Sequence, residues 1–528
     1  MYRPEDIPTY PDLGRVYPGD YYDALPFDAY ISSTQPLPSG EKVFDIRNFG
    51  AVPDDKLNTQ AFQQAADACR DAGGGTVLVS GGSYRMGGVR LYSNTTLFIA
   101  PDSAIIASRN VDELLRHFRP DDQQRNDEES SGGAFLYACG EENIVITGGG
   151  RISGSGEWFV YEPRKTPALE PFDVTMLPTR EEIKAQQINT VPGSVRTFYR
   201  DRIRYAEDKY NEGKPVLRRP SFMVWLLQCK NVRLENIILH NAMCWTLHVD
   251  CCDDVTIRDL VIDDNRHVAN TDGIDLSGCR HALVEHCFVS CADDGLCLKN
   301  PVSTRRTMED IVIRNCTVLT VMNAFKLGTG TRYDVRGVLV ENCHFCMPDI
   351  YPGTVSGIAV ESCDGSHISD VTVRNITMDK VLCPVYILLN QRNETREPYT
   401  AQIGKSAWWG GSLSGVTIEN IRATDVELPS IITGFVTSHP DGTPVRRAVS
   451  NITLRNIDVI YRDNKEVIRL PETFDEFLVE YPESNAHGDV DACGFWVRHA
   501  DRVRLENIHV TPRSCNTREA IRLLDVQA

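Results

Sequence analysis

The sequence predicts an all-β fold, a right-handed, single-stranded parallel β-helix with an N-terminal capping helix. Three observations support this prediction. A nine-residue phrase of alternating apolar residues recurs along the chain, its core copies begin 23 to 29 residues apart, and no amphipathic helix separates them. Such alternation is the period of a strand with one buried face, and a short regular interval is typical of stacked coils.

The repeated phrase is well enough preserved to exclude other repeat folds. Leucine-rich repeats would show an L-x-x-L-x-L spacing, and propeller blades need about 40–45 residues. The sixth residue is usually asparagine, which tolerates left-handed φ and can hydrogen-bond to its neighbours in a stack. The nine copies begin at Asn231, Asp254, His281, Asp310, Gly337, Asp370, Gly415, Asn451 and Arg502.

The N-terminal part of the chain has a different pattern. Thr59–Ala72 carries apolar residues at helical spacing and ends at three glycines, which predicts a helix with a glycine stop. A helix there would protect the open end of the solenoid. We assign residues 1–42 to an N-terminal extension and 43–528 to the β-helix, with an excursion over 157–218 and a loop over 393–413 flanking the cleft.

Composition narrows the classes of partner. The 528 residues are 41% apolar, with 73 acidic against 55 basic side chains and a net charge of −18. An acidic chain is a poor partner for nucleic acid, and no stretch approaches the roughly 20 apolar residues of a membrane span. The 17 cysteines lack paired C-x-x-C spacing. We therefore expect buried reduced thiols rather than disulfides, and a cytoplasmic protein, because MYRPEDIPTY lacks signal-peptide character. The oligomeric state is left open.

A second register appears in the strands that follow the repeats. Aligning them on their apolar residues gives one inward column of Ile274, Leu296, Phe325 and Ile358. The outward positions carry an unusual density of charge for a solvated face. These outward positions are Asp275, Cys297, Lys326 and Ala359, followed by Ser277, Lys299, Gly328 and Glu361.

Three acids stand at adjacent strand starts, Asp272, Asp293 and Asp294. Asp272 and Asp294 are one coil apart, so their carboxylates should lie within roughly 5–10 Å of each other. Crowded carboxylates differ in pKa, so one can act as acid and another as base, as glycoside hydrolysis requires. A calcium site or turn-capping aspartates are the alternatives. Strict alternation would send Asp294 inward, but alternation is unreliable at a coil corner, so it leaves open which of Asp293 and Asp294 is the acid.

Several motifs together resemble glycoside hydrolase family 28, the polygalacturonase-like enzymes. They are Asn270–Asp275, Ala292–Lys299, Gly150–Gly156, Arg219–Pro220 and Trp245–His248, and the resemblance runs from about residue 43 to residue 400. It implies a pectin-lyase-like β-helix, a carbohydrate substrate, and inverting hydrolysis with no metal or cofactor.

The same resemblance implies roles for the three acids. By motif match Asp293 is the general acid. Asp272 and Asp294 position and deprotonate the attacking water.

The sequence departs from this family at two places. Where the family has Gly-His-Gly, this chain has Met322-Asn323-Ala324, and where the family has Arg-Ile-Lys, Ala359 stands at the Arg position and Glu361 at the Lys position. A carboxylate there would repel a uronate, so we predict a neutral sugar of a pectin-related glycan as the substrate. The long excursions suggest a blocked groove, and we therefore predict exo action on chain ends or oligosaccharides.

Two other enzyme functions and one binding function compete with this prediction. Lys299, Lys326 or Arg392 could hold a uronate from another direction, which would make the chain a galacturonidase or polygalacturonase. A polysaccharide lyase on the same fold would need a uronate, usually Ca²⁺, and a basic catalytic residue. A glycan-binding solenoid would bind without cleavage.

Other side chains are candidates for binding sugar or for supporting the site. Trp408 and Trp409, with Tyr351, could stack on a sugar ring or anchor their loops. We expect His248 to share a column with Asp275 and to hydrogen-bond it, and Trp245 to be a core residue. The predicted substrate-binding residues are Asn270, His267, Lys299, Asn323, Lys326, Glu361, Arg392, Trp408 and Trp409.

Overall fold

The chain, as a computed structural model, forms two compact units. The N-terminal unit comprises the described residues of 15–177 and 203–294, and the C-terminal unit those of 295–528. The structure describes residues 27–32, 35–53, 56–108, 110–114, 133–156, 222–264, 268, 270–301, 303–347, 353–392, 411–438, 442–462, 469–478, 480–512 and 517–528.

Short strands dominate the N-terminal unit, with helices α1 (Phe27–Tyr30), α2 (Thr59–Asp71) and α3 (Val111–Leu114) and a 3₁₀ turn at Ile46–Phe49. Its strands are β1 (Val43–Asp45), β2 (Gly75–Val79), β3 (Ser83–Met86), β4 (Val89–Arg90), β5 (Thr95–Ile99), β6 (Ala104–Ala107), β7 (Ala134–Cys139), β8 (Glu142–Thr147), β9 (Arg151–Ser153), β10 (Phe222–Leu227), β11 (Lys230–His240), β12 (Trp245–Asp250), β13 (Asp253–Asp263), β14 (Ile274–Ser277) and β15 (Arg280–Cys291).

The C-terminal unit continues the same pattern and has a 3₁₀ turn at Ser484–His487. Its strands are β16 (Leu296–Asn300), β17 (Met308–Arg314), β18 (Thr317–Thr320), β19 (Asn323–Thr331), β20 (Val335–Glu341), β21 (His344–Cys346), β22 (Thr354–Ser362), β23 (His367–Asp379), β24 (Val381–Leu389), β25 (Ser412–Val426), β26 (Ser430–Thr433), β27 (Phe435–Ser438), β28 (Pro444–Arg447), β29 (Val449–Tyr461), β30 (Ala492–Thr511) and β31 (Glu519–Gln527).

The repeated phrases form parallel ladders, as the alternation predicts. In the N-terminal unit β11, β13 and β15 pair in order, with Val232 beside Val255 and Val255 beside Ala282. In the C-terminal unit one apolar column runs through six strands, and its members are buried except in the last coil. This column is Ile311, Val338, Val371, Val416, Ile452 and Val503. The predicted β-helix is therefore confirmed.

Left-handed residues bend each repeated phrase at two places. The expected bend at the sixth residue is present, and Asn342, Asn375, Asn420, Asn456 and Asn507 all have φ between 52° and 57°. Their side chains form a ladder, each Nδ2 donating to the preceding Oδ1 at 2.9–3.0 Å. The first residue of every copy also has positive φ, which the sequence did not signal because Asp, His and Arg occupy it as well as Asn and Gly.

The predicted helix and the predicted thiols are both present. Helix α2 is followed by Ala72 and by Gly73–Gly75 with positive φ, so the glycine stop is confirmed; its role as a cap stays a prediction. The 16 cysteines in the described ranges are free, and 15 of them are buried. Within those ranges no helix is long and apolar enough to cross a membrane.

Substitutions of Asn420 test the contribution of the asparagine ladder to stability. Asn420→Ala loses both ladder bonds and puts a Cβ-bearing residue without a local hydrogen bond at a φ of 57°. Asn420→Gly loses the bonds but tolerates that φ. We expect the free energy of unfolding to fall for both variants, and by about 1 kcal/mol more for alanine, in urea titrations. Equal losses for the two variants would contradict a role for the left-handed bend.

Candidate active site

The three acids lie on two strand starts that pair side by side within the N-terminal unit. The backbone N–H of Gly273 donates to the carbonyl of Asp294 at 2.9 Å, and that of Asp293 donates to the carbonyl of Thr271 at 3.4 Å. The Thr271 hydroxyl accepts from the N–H of Ala292 at 3.1 Å. These bonds place Asp272 opposite the Asp293–Asp294 pair, as the one-coil spacing predicts.

Two of the three carboxylates are close together and buried. A carboxylate oxygen of Asp272 and one of Asp294 lie within 4.8 Å of each other, and these residues are 3% and 4% exposed. Asp293 is more exposed, and its Oδ1 accepts from the Asp294 N–H at 3.0 Å. A water hydrogen-bonded to both buried carboxylates would fit this separation, because two bonds of about 2.7 Å at an open angle span it. Calcium takes about 6–8 oxygen ligands, so this pair alone does not define a calcium site.

A fourth carboxyl, Asp264, is linked to the Asp272 strand start through hydrogen bonds. Its Oδ2 accepts from the Thr246 hydroxyl at 2.5 Å and its Oδ1 from the N–H of Ala242 at 2.7 Å. The N–H of Thr246 in turn donates to the carbonyl of Asp272 at 3.0 Å. Burial raises the pKa of Asp264 to about 7, against the lowering effect of its two hydrogen bonds. Asp264 was not predicted, because an aspartate next to Asp263 and Asn265 gives no sign of burial.

Three residues that the sequence analysis associated with the site, His248, Trp245 and Asn270, are placed by the structure. His248 pairs with Asp275 between β12 and β14, as predicted, and its Nε2 lies 3.0 Å from the Ser277 hydroxyl. Trp245 is partly buried and packs against the cluster that contains Phe222 and Trp225. Asn270 has φ of 57° and is half-buried.

The predicted outward column is confirmed within the C-terminal unit. Cys297 pairs with Lys326 and Lys326 with Ala359, while Phe325 and Ile358 form the inward column. Glu361 and Ala359 both lie on β22. Lys299 lies on β16 and is half-buried.

The charged side chains of this column are paired and covered. Lys326 Nζ lies 4.0 Å from Glu361 Oε2 and 3.6 Å from Glu483 Oε1, and the Lys326 and Glu361 side chains are 1% and 0% exposed. Asn323 is fully buried, and its Nδ2 donates to Glu483 Oε2 at 3.4 Å. Lys326 is therefore the counter-ion of two carboxylates of this protein.

Arg392 is also engaged within the protein. Its Nη2 lies 3.1 Å from Asp364 Oδ1, and a second contact joins its Nε to the same oxygen at 3.2 Å. Burial opposes the charge on Arg392, but the Asp364 carboxylate more than offsets this and raises the guanidinium pKa. Asp364 also accepts from the N–H groups of Gly330 and Thr331, at 2.6 and 3.2 Å.

The cover on this column comes from a segment that sequence reasoning missed. We call residues 480–489, between β29 and β30, the return segment. It places Glu483 against Lys326, the Ser484 hydroxyl 2.9 Å from that of Ser356, and His487 Nε2 2.9 Å from the Tyr386 hydroxyl. Burial lowers the pKa of His487 to about 3, so the ring is neutral at ordinary pH. The segment lies outside the repeat, and no pattern in it pointed to this face.

Three of the predicted binding residues and one further stacking candidate cannot be placed. His267, Trp408, Trp409 and Tyr351 lie outside the described residues, as do the 157–218 excursion and most of the 393–413 loop.

Known proteins resemble this chain in both sequence and fold. Residues 193–427 match the model of glycosyl hydrolases family 28. A probable polygalacturonase of Vitis vinifera is 20% identical over 457 residues, which cover 84% of this chain and 77% of that protein. A probable polygalacturonase of Arabidopsis thaliana is 27% identical over 256 residues, 48% of this chain and 52% of that protein.

A solved structure supports the fold. The family 28 exopolygalacturonase of Yersinia enterocolitica superposes with a TM-score of 0.61 at 17% identity, covering 92% of this chain and 77% of that one. Together with the family match and the polygalacturonase relatives, the shared fold indicates a glycoside hydrolase. The family match over residues 193–427 and the polygalacturonase relatives support a divergent, polygalacturonase-like member of glycosyl hydrolase family 28.

The pKa of Asp264 gives a testable pH dependence. In the folded state this carboxyl holds its proton up to about pH 7, whereas unfolded it ionises near 3.8. Between these values the unfolded state binds fewer protons, so stability falls as pH rises, by at most about 1.4 kcal/mol per pH unit. Asp264→Asn is neutral in both states. In urea titrations the free energy of unfolding of the variant should rise relative to that of wild type from pH 4 to 7, and the difference should stay constant above pH 8. A pH-independent difference would contradict the raised pKa.

Proposed function

We propose that this protein hydrolyses glycosidic bonds of pectin-related glycans with inversion, releasing a neutral sugar from chain ends. The observation that carries the proposal is the arrangement of the three acids. Asp272 and Asp294 are buried with carboxylate oxygens within 4.8 Å, and the more exposed Asp293 is adjacent. Inverting hydrolysis needs a water held by carboxylates on one side of the sugar and an acid on the other.

Each acid has a defined part in this reaction. Asp272 and Asp294 orient a water and accept its proton as its oxygen bonds to the anomeric carbon. Asp293 gives its proton to the glycosidic oxygen as the bond from that oxygen to the anomeric carbon breaks. The new hydroxyl then has the opposite anomeric configuration. Asp293 ends ionised and the water-binding pair ends protonated, so the proton count balances.

The charges of the C-terminal unit support a neutral sugar. Glu361 occupies the position at which the family motif has lysine, and Lys326 and Arg392 each face carboxylates of the protein. Among these five side chains, two cations stand against Glu361, Glu483 and Asp364. A uronate would have to displace a carboxylate already paired with a buried cation, which is costly.

The return segment supports action on chain ends. It covers the outward column of β19 and β22 through contacts of Glu483 and Ser484. A polymer that runs along a β-helix needs an open groove, and a folded segment on this face shortens it. The relatives from Vitis and Arabidopsis are named polygalacturonases, so a terminal uronate remains the second candidate substrate.

Asp293→Asn tests the assignment of the acid. The amide cannot donate the proton that the leaving oxygen needs, so kcat should fall by about 10³-fold while the melting temperature stays nearly unchanged. The matched control is Asp254→Asn in the same unit, whose side chain is 50% exposed and which should keep full activity. Full activity of the Asp293 variant would exclude this acid.

The substrate and the stereochemistry are tested together. Wild type would be incubated with neutral and uronic aryl glycosides and with pectic oligosaccharides, and the first-formed anomer followed by proton NMR. We expect a neutral terminal sugar to be released as the inverted anomer. Preferential release of galacturonate would favour the second candidate, and an unsaturated, ultraviolet-absorbing product that chelator abolishes would identify a lyase instead.

A further inference from the structure

Tyr481 is the one aromatic residue among the strongly exposed large apolar side chains of the described chain, with 51% of its surface accessible. It lies in the return segment, three residues before the 3₁₀ turn at Ser484–His487. Tyrosines are often partly exposed, so exposure alone gives it no function. Its surroundings are more specific.

The backbone that carries Tyr481 is held on both sides. Two residues later, Glu483 contacts Lys326 and Asn323 on β19. The Ser484 hydroxyl also lies 3.2 Å from the carbonyl of Val355 on β22. Before it, the carbonyl of Leu478 accepts from the N–H of Gln391 at 2.9 Å. The ring therefore projects from a fixed position and needs little ordering on binding.

Two cations of the C-terminal unit lie over this ring. Lys326 Nζ is 5.7 Å and Arg392 Cζ is 5.3 Å from the ring centroid. Both distances are within the range of cation–π attraction, which fixes the orientation of the ring. Each cation is also paired with a carboxylate, so the ring packs against a set of buried, fixed charges.

We propose that Tyr481 is a sugar-stacking platform that binds one pyranose ring of the oligosaccharide substrate, and this rests on the proposed function. The apolar C–H face of the sugar covers the exposed part of the ring, which removes apolar surface from water.

The test measures binding apart from catalysis. Calorimetric titrations of the Asp293→Asn protein with galactotriose and with trigalacturonate give the affinity for a neutral and an acidic probe. Adding Tyr481→Ala should weaken the tighter of these two affinities by about tenfold. Tyr481→Phe keeps the ring, so its affinity should stay within about twofold of that of the Asp293→Asn parent. In the active enzyme, the alanine variant should raise KM more than it lowers kcat.

Tyr92 provides a matched control. It too is a half-buried tyrosine with two cations over its ring, Arg70 at 4.6 Å and Arg90 at 5.3 Å, but it lies between β4 and β5 of the N-terminal unit. Tyr92→Ala removes the same kind of contact and should leave both affinities unchanged.

Two results would overturn the platform. One is an unchanged affinity for Tyr481→Ala, whatever its melting temperature, and the other is binding of neither probe to the parent protein. Failure of the proposed function has a different signature. Full activity of Asp293→Asn would remove the assigned acid, while the titrations would still report whether Tyr481 binds sugar.

Discussion

The parallel register between successive coils is the constraint on which the rest of this protein depends. Because side chains alternate between two faces, a slip of one residue would turn each apolar column to the opposite face. The column from Ile311 to Val503 and the asparagine ladder from Asn342 to Asn507 both resist such a slip. The same register brings Gly273 beside Asp294, and so fixes the separation of the two buried carboxylates.

Register alone would leave buried charges on the outer face without enough stabilisation. Residues from outside the ladder supply it: Asp264 holds Thr246 and Ala242 behind the Asp272 strand start, and Glu483 reaches Lys326 from the return segment. A buried ion pair gains little net stability, but the loss of one partner leaves an uncompensated charge and is strongly destabilising. These contacts therefore fix the positions of functional groups more than they stabilise the fold.

The sequence predicted those features that the repeat determines. The strands, the bend at the sixth residue, and the columns of Lys326 and Phe325 all follow from a phrase that recurs at a fixed spacing. It did not predict Glu483 or Tyr481, because their contacts join β19 to a segment about 160 residues later that has no periodic pattern. Nor did it predict Asp264, since it is burial, and not residue type, that raises its pKa against the lowering effect of its hydrogen bonds.

The contacts of Glu361 in the structure change how this residue is interpreted. From sequence it is a carboxylate that would repel a uronate. In the structure it shares Lys326 with Glu483, so the lysine is held by two internal anions and the whole cluster has a fixed charge balance. A uronate would then meet three unfavourable steps: breaking an internal ion pair, leaving one buried carboxylate with less compensation, and losing its own hydration. A neutral sugar avoids all three, because it brings no charge to the cluster. Under the proposed function, substrate preference is therefore a property of the cluster and not of Glu361 alone.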